Sequence, residues 1–225
     1  MANGKTTNWA AIWISAGVVV LLVVVGGLVV WMNNQASAPA SSPGSAVVDE
    51  ETGAIAVGEG ENVIDEYVDF MCPICGEYNE LYGETVHDLV EEGRVTLNLH
   101  PISILDRYSQ GTEYSTRSAA AAYCVADANP EAVYPFFQEL FDNQPEEGST
   151  GLSDDELSGF ASDAGAPDAA ECIASDEYHD YVTQITEETP VQPGAQGIGT
   201  PTVLLNGEFV SLTGDPQADI VAQLK

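Results

Sequence analysis

Between residues 63 and 70 apolar and polar positions alternate, with Ile64, Glu66, Val68 and Phe70 on one face and Val63, Asp65, Tyr67 and Asp69 on the other. A period of two predicts a strand. After Cys72 the spacing lengthens, and Ile74, Tyr78, Leu81, Thr85 and Leu89 recur every three to four residues up to Gly93. That is an amphipathic helix with a glycine stop. Residues 94–102 read as the next strand, and strand, helix and strand in this order predict a βαβ unit with a parallel pair. Helical patterns follow over 115–128 and 133–141, then after the capping box Ser153-Asp154-Asp155-Glu156, and over 172–186. The strand signal returns at 201–205, turns at Asn206-Gly207 and runs on through 208–211, before a last short helix over 216–224. The expected fold class is α/β: βαβ, a helical insertion at about 112–190, then ββα. No internal repeat is visible.

Ahead of this pattern, residues 10–32 form an apolar run broken only by Ser15 and a few glycines, with Trp9, Trp13 and Trp31 near its ends. At about 1.5 Å per residue the run spans roughly 34 Å, enough for a bilayer core, and its tryptophans suit the headgroup level. It reads as a transmembrane anchor. The rival is a cleaved signal peptide, since Ala36-Ser37-Ala38 is a small-x-small pattern, although the apolar region exceeds the usual length of roughly 7–15 residues. Lys5 precedes the run and no Lys or Arg follows it until Arg94, which predicts a single pass with the N-terminus inside and the large domain outside the cytoplasm. Residues 1–9 are then a cytoplasmic tail. Residues 33–53, rich in Ala, Ser, Pro, Gly and Asn, are expected as a flexible linker, and 54–225 as the folded domain.

Charge narrows the partners. The chain carries 36 acidic and five basic residues, a net charge of −31, and every acid lies after residue 48. Such a surface repels phosphate backbones and anionic headgroups and argues against nucleic-acid binding. It also favours solubility at high ionic strength, where exposed carboxylates are screened. A salty habitat and an ordinary acidic secreted surface both fit.

The four cysteines, Cys72, Cys75, Cys124 and Cys172, allow two disulfides. Cys72-Pro73-Ile74-Cys75 is spaced for redox or metal chemistry, but no second C-x-x-C completes a four-thiolate zinc site. Placed at a helix start, Cys72 gains from free backbone N–H groups and the helix dipole, which makes it the better nucleophile. The chain-entropy estimate is roughly 2 kcal/mol for the four-residue loop and about 4 kcal/mol for the 49 residues from Cys124 to Cys172. The short loop suits exchange and the long one stapling. A structural or metal role for Cys72 and Cys75 remains the alternative.

Three landmarks in this order resemble the thioredoxin superfamily, and within it the DsbA-like branch with a helical domain inserted before the last hairpin. They are Glu66-Tyr67-Val68-Asp69-Phe70-Met71-Cys72-Pro73-Ile74-Cys75 at a strand-to-helix junction, the long insertion, and Gly199-Thr200-Pro201-Thr202 before the final hairpin. The resemblance covers about residues 54–225. It implies that Pro201 is cis and that the Thr200-Pro201 loop faces the disulfide and receives the substrate's extended chain; the alternative is an ordinary trans proline opening a strand. Glu66 occupies the position of a buried acid that moves protons for the inner thiol, here Cys75, unless it lies at the sheet's solvated edge. Relatives of this anchored kind often carry a second bridge, here Cys124 with Cys172. The resemblance further implies oxidation of secreted or cell-surface protein thiols, recharging by a quinone-linked membrane partner, and no cofactor beyond the cysteine pair. Ile74 departs from the histidine of the best-known oxidases, and neither it nor the nearby Glu77 supplies a cation to the thiolate, so a weaker oxidant is expected.

Competing functions are a disulfide reductase or isomerase fed from the membrane and a copper-handling module, for which only Met71 is an adjacent extra ligand. His87, His100 and His179 share no i, i+4 spacing and read as surface or packing residues. The glycines of 194–199 lack the G-x-G-x-x-G spacing of a nucleotide site.

Overall fold

A computed structural model describes residues 9–36 and 40–225, in two compact units, Met1–Pro39 and Ala40–Lys225. The expected cytoplasmic tail lies outside the described residues apart from Trp9. In the first unit Trp9–Ala36 form helix α1, 28 residues without a charged side chain. Side chains on α1 are described only at Trp9, Trp13, Gly17, Val18 and residues 20–29. Among the described residues no helix is long and apolar enough to cross a membrane.

The second unit is built on five strands, β1 (Ile55–Val57), β2 (Asn62–Val68), β3 (Val95–Pro101), β4 (Thr202–Leu205) and β5 (Glu208–Phe209), in the order β1-β3-β2-β4-β5. β2 and β3 are parallel and joined by helix α2 (Pro73–Glu91), so the βαβ unit expected from the periodicity is present. β4 runs antiparallel to β2, pairing Glu66 with Val203 and Tyr67 with Thr202. The turn at Asn206 and Gly207 has positive φ at both positions, 52° and 82°, which matches the twist of a two-residue hairpin. Along β2 burial alternates, with Asn62, Ile64, Glu66 and Val68 inward. That face meets α2, whose buried stripe includes Cys75, Tyr78, Tyr82, Val86 and Leu89.

Between β3 and β4 lies the helical block. α3 (Tyr114–Ala128) is buried along nearly its whole length, which its run of alanines permits by letting neighbouring helices approach on every side. Around it lie α4 (Val133–Asp142), α5 (Asp154–Asp163), α6 (Ala170–Ile173) and α7 (His179–Glu187). α5 opens on the expected capping box between Ser153 and Glu156. The helix expected over 172–186 is two helices, interrupted where Asp176 takes a φ of 57°. The last helix is likewise shorter than its pattern: α8 (Pro216–Asp219) stops at Ile220 and a three-ten turn, Val221–Gln223, follows.

The compact unit starts at Ala40 rather than near Ala54, so part of the expected linker is folded chain. The cause is partly packing, with Val48 buried in the core and Ala40 and Val47 against it, and partly hydrogen bonding from distant side chains. Tyr181 donates to the carbonyls of Asp49 and Glu50, Tyr123 donates to that of Gly53, and Val48 bridges Ile55. Residues 37–39 of that stretch lie outside the described residues. β1, a three-residue edge strand paired antiparallel to β3, had no counterpart in the periodicity.

Candidate active site

The chain turns sharply between β2 and α2. The backbone N–H of Cys72 bonds the carbonyl of Asp69 at 2.9 Å, and Pro73 opens the helix where its missing N–H costs nothing. Cys72 is the N-cap residue, in extended backbone with no side-chain cap, so its sulfur lies at the helix end where N–H groups are free. Both cysteines are in the thiol form and both are buried, Cys72 keeping 5% of its surface and Cys75 none. The outer sulfur is thus less exposed than its position at a helix start suggests.

Their environments split the two thiols. A hydrogen bond from Cys75, together with the N–H groups of Cys75 and Ile74, brings the Cys72 thiol down to about 7, against burial and the charge of Asp69. Burial pushes the Cys75 thiol well above the ordinary range, and the neighbouring Cys72 adds to the effect. One sulfur is prepared to be a thiolate near neutral pH and the other to hold its proton.

The Thr200-Pro201 peptide is cis and lies against the pair. The Thr200 carbonyl is 3.7 Å from Cys72 Sγ, and Thr200 Oγ1 is 2.9 Å from Cys75 Sγ. While Cys75 holds its proton and donates it to the Cys72 thiolate, the Thr200 hydroxyl donates to the Tyr67 carbonyl at 3.1 Å. Once Cys75 ionises, the same hydroxyl can turn and donate to the sulfur. Beside Pro201 an apolar groove of about 210 Å³ runs between Ile74, Tyr78, Leu81 and Leu212. Ile74 and Leu81 are each at least half exposed there.

Glu66 is buried beneath the pair and is not at a solvated edge. Its carboxyl is pushed up to about 7 by burial, against the hydrogen bond that Tyr78 donates at 2.6 Å. Burial and the charge of Glu66 push the Tyr78 hydroxyl well above its ordinary range, with Tyr82 and Cys75 as smaller influences.

Two site residues were not among those expected from sequence. Asp69, with no exposed surface, accepts from the N–H groups of Met71, Ile104 and Leu105, each at 2.9 Å. Its place on the polar half of the β2 alternation pointed it at solvent, but the strand ends at Val68 and the chain turns inward. Gln144, in the loop after α4, reaches across from the helical block and donates to the carbonyls of Phe70 and Cys72 at 3.1 and 2.8 Å. Gly76 makes room for it, because a Cβ there would lie 2.3 Å from Gln144 Oε1. No local pattern marks such a contact. Glu77 is exposed, and the acid that weighs on the Cys72 thiolate is Asp69.

Elsewhere, Cys124 and Cys172 form a disulfide joining α3 to α6, with Cα atoms 5.7 Å apart. His100 stacks on Tyr67 at 4.0 Å between ring centres and bonds Asp65, His87 stacks on Tyr134, and His179 pairs with Asp176. The three do not converge. Among the described residues no three His, Cys, Asp or Glu side chains are placed to hold a metal ion.

A family model described as thioredoxin matches residues 51–221. Among solved structures the chain is similar to the disulfide bond oxidoreductase DsbG of Mycobacterium tuberculosis, with 32% identity, a TM-score of 0.67, and coverage of 79% of this chain and 91% of that one. It is also similar to the reduced DsbA of the same organism, with 32% identity, a TM-score of 0.66, and coverage of 76% and 90%. Among curated proteins it is 33% identical over 159 residues to the serine/threonine-protein kinase PknE of Mycobacterium tuberculosis. That match takes in 68% of this chain and 28% of the kinase, so the chain spans little more than a quarter of that relative's length.

Proposed function

This chain belongs to the thioredoxin superfamily, on its DsbA-like branch, and from that premise we propose that it is a membrane-anchored protein-disulfide oxidoreductase that oxidises secreted or cell-surface protein thiols outside the cytoplasm. The observation that carries the reading is the opposed tuning of the two thiols, Cys72 brought down to about 7 and Cys75 pushed well up, with Thr200 in contact with both.

In the oxidised enzyme Cys72 and Cys75 share a disulfide. A substrate thiolate attacks Cys72 Sγ, the Cys72–Cys75 bond breaks, and a mixed disulfide with Cys72 forms as Cys75 leaves with the electron pair. Cys75, buried and strongly basic, takes up a proton; Glu66, protonated below about pH 7 and reached through Tyr78, is the acid placed to supply it. A second substrate thiolate then attacks the substrate sulfur of the mixed disulfide. Cys72 leaves as the thiolate its N–H groups stabilise, and two electrons have passed from substrate to enzyme. The groove beside Pro201 holds the substrate chain, and a quinone-linked membrane oxidoreductase recharges the pair.

Refolding of a reduced secreted protein tests the chemistry. Cys72→Ser should abolish turnover, whereas Cys75→Ser, its Cys72 first converted to a mixed disulfide by oxidised glutathione, should pass to mixed disulfides with substrate, glutathione leaving as the thiol, and these should accumulate until reductant dissolves them. Normal activity in Cys72→Ser, or adducts trapped by loss of Cys72 instead, would reverse the assignment.

The anchoring reading rests on the sequence, the apolar run of residues 10–32 with Lys5 before it. Protease added to intact cells should release the domain. Survival of the domain until the membrane is permeabilised would put it on the other side.

A further inference from the structure

A carboxylate with no exposed surface, three residues before a nucleophilic thiol, needs an account. Asp69 Oδ1 accepts from the N–H of Met71, the residue next to Cys72, and Oδ2 accepts from Ile104 and Leu105. Its backbone carbonyl accepts from Cys72 itself, closing the turn that sets the sulfur at the helix end. The side chains that face it from the neighbouring elements are Cys72, at the start of α2, and Tyr114 and Ser115 of α3. The Ser115 hydroxyl lies near Asp69 but outside hydrogen-bond geometry, and the Tyr114 hydroxyl is also buried without a partner. Arg117, the nearest cation on α3, is spent on Asp154 and the carbonyls of Thr112 and Leu152. The three N–H donors make the charge tolerable, and nothing in contact cancels it.

We propose that Asp69 tunes the oxidising strength of the cysteine pair: its buried negative charge opposes the Cys72 thiolate, disfavours the dithiol state and makes the pair a milder oxidant than it would be with a neutral side chain there. The proposal rests on the disulfide-exchange reading above. A dithiol whose thiolate is stabilised makes its disulfide a strong oxidant, so a like charge held beside that thiolate acts in the opposite sense. Burial pushes Asp69 up to about 6, below Cys72, so it carries its charge at neutral pH, where the Cys72 thiolate forms. A turn-forming carboxylate without this role would stabilise the loop and leave the sulfur's titration alone.

The test equilibrates the full chain with glutathione, in which one oxidised glutathione and the dithiol give the protein disulfide and two reduced glutathiones. At neutral pH Asp69→Asn should move this equilibrium roughly ten-fold toward the dithiol, the effect of one charge at close range in a partly shielded site. The same variant should make Cys72 titrate, by thiolate absorbance, at lower pH than in wild type. Asparagine turns an NH2 group toward backbone N–H donors that the carboxylate satisfied, so Asp69→Ser, neutral and smaller, is measured beside it and should shift both readouts in the same direction. Equal constants and equal Cys72 titrations in wild type and both variants overturn the proposal. A wild-type pair that exchanges with glutathione at no pH overturns the disulfide-exchange reading and this one together.

Discussion

At the scale of single residues, two buried acids flank the cysteines, and only one was readable in the sequence. Glu66 announced itself because it interrupts an otherwise apolar strand face. Asp69 did not, because alternation assigns it to solvent and only the end of β2 at Val68 turns it inward. Glu66 makes a test of its own. Its carboxyl holds its proton up to about pH 7, against the ordinary 4.5. The folded state therefore binds that proton more tightly than the unfolded chain does. Stability from this group is fully present below about pH 4.5 and is lost as pH rises through about 7. A difference of about 2.5 pH units corresponds to about 3 kcal/mol. Glu66→Gln keeps an acceptor for the Tyr78 hydroxyl and removes the ionisation. In urea unfolding at about pH 8 the variant should exceed wild type by up to about 3 kcal/mol, a margin that closes toward pH 4.5. Equal pH profiles for the two proteins would show that Glu66 is not held in this way. The gain in stability should come with slower disulfide exchange, because Cys75 loses its proton donor.

At the scale of elements, strong periodic signals survived and weak or non-local ones did not. β2, α2, β3, the capping box of α5 and the Asn206-Gly207 turn each carry their cause within a few residues. β1 is too short to show a period, and residues 40–53 are held by the side chains of Tyr123 and Tyr181, far along the chain. Gln144 is a similar case, since its value to the site appears only once α4 is packed beside α2. The Cys124–Cys172 bridge likewise acts at this scale. It ties α3 to α6 across a sequence separation of 48, within the helical block, whereas the reactive pair lies at the junction of β2 and α2. Replacing both bridge cysteines by serine should lower the unfolding free energy by about 2–4 kcal/mol. The glutathione equilibrium of Cys72 and Cys75 should be unchanged within error. A shift in that equilibrium would mean that the helical block transmits strain to the redox pair.

At the scale of the whole molecule, charge governs the balance between the folded and unfolded chain. Against 36 acidic residues there are five basic ones, and the two arginine pairs formed differ in kind. Arg94 and Glu92 meet at 3.3 Å on an open surface, where such a pair contributes little. Arg117 is mostly buried, bonds Asp154 at 2.6 Å and reaches two backbone carbonyls, so it knits the start of α5 to the loop before α3. Most other carboxylates are exposed, and compaction brings them closer than they are in the unfolded chain. Raising salt from about 0.1 M to about 1 M shortens the screening length from about 10 Å to about 3 Å. The exposed repulsion should then fade while the shielded Arg117 contact keeps most of its strength. The net effect is stabilisation, the reverse of what salt does to a fold that depends on surface ion pairs. The midpoint of thermal unfolding should therefore rise by several degrees over that range, on the order of 1 kcal/mol. Sodium chloride and potassium chloride should act alike if screening is the cause. A midpoint that stays level or falls would show that the acidic surface imposes no cost on folding, and would remove the physical ground for reading this composition as an adaptation to salt.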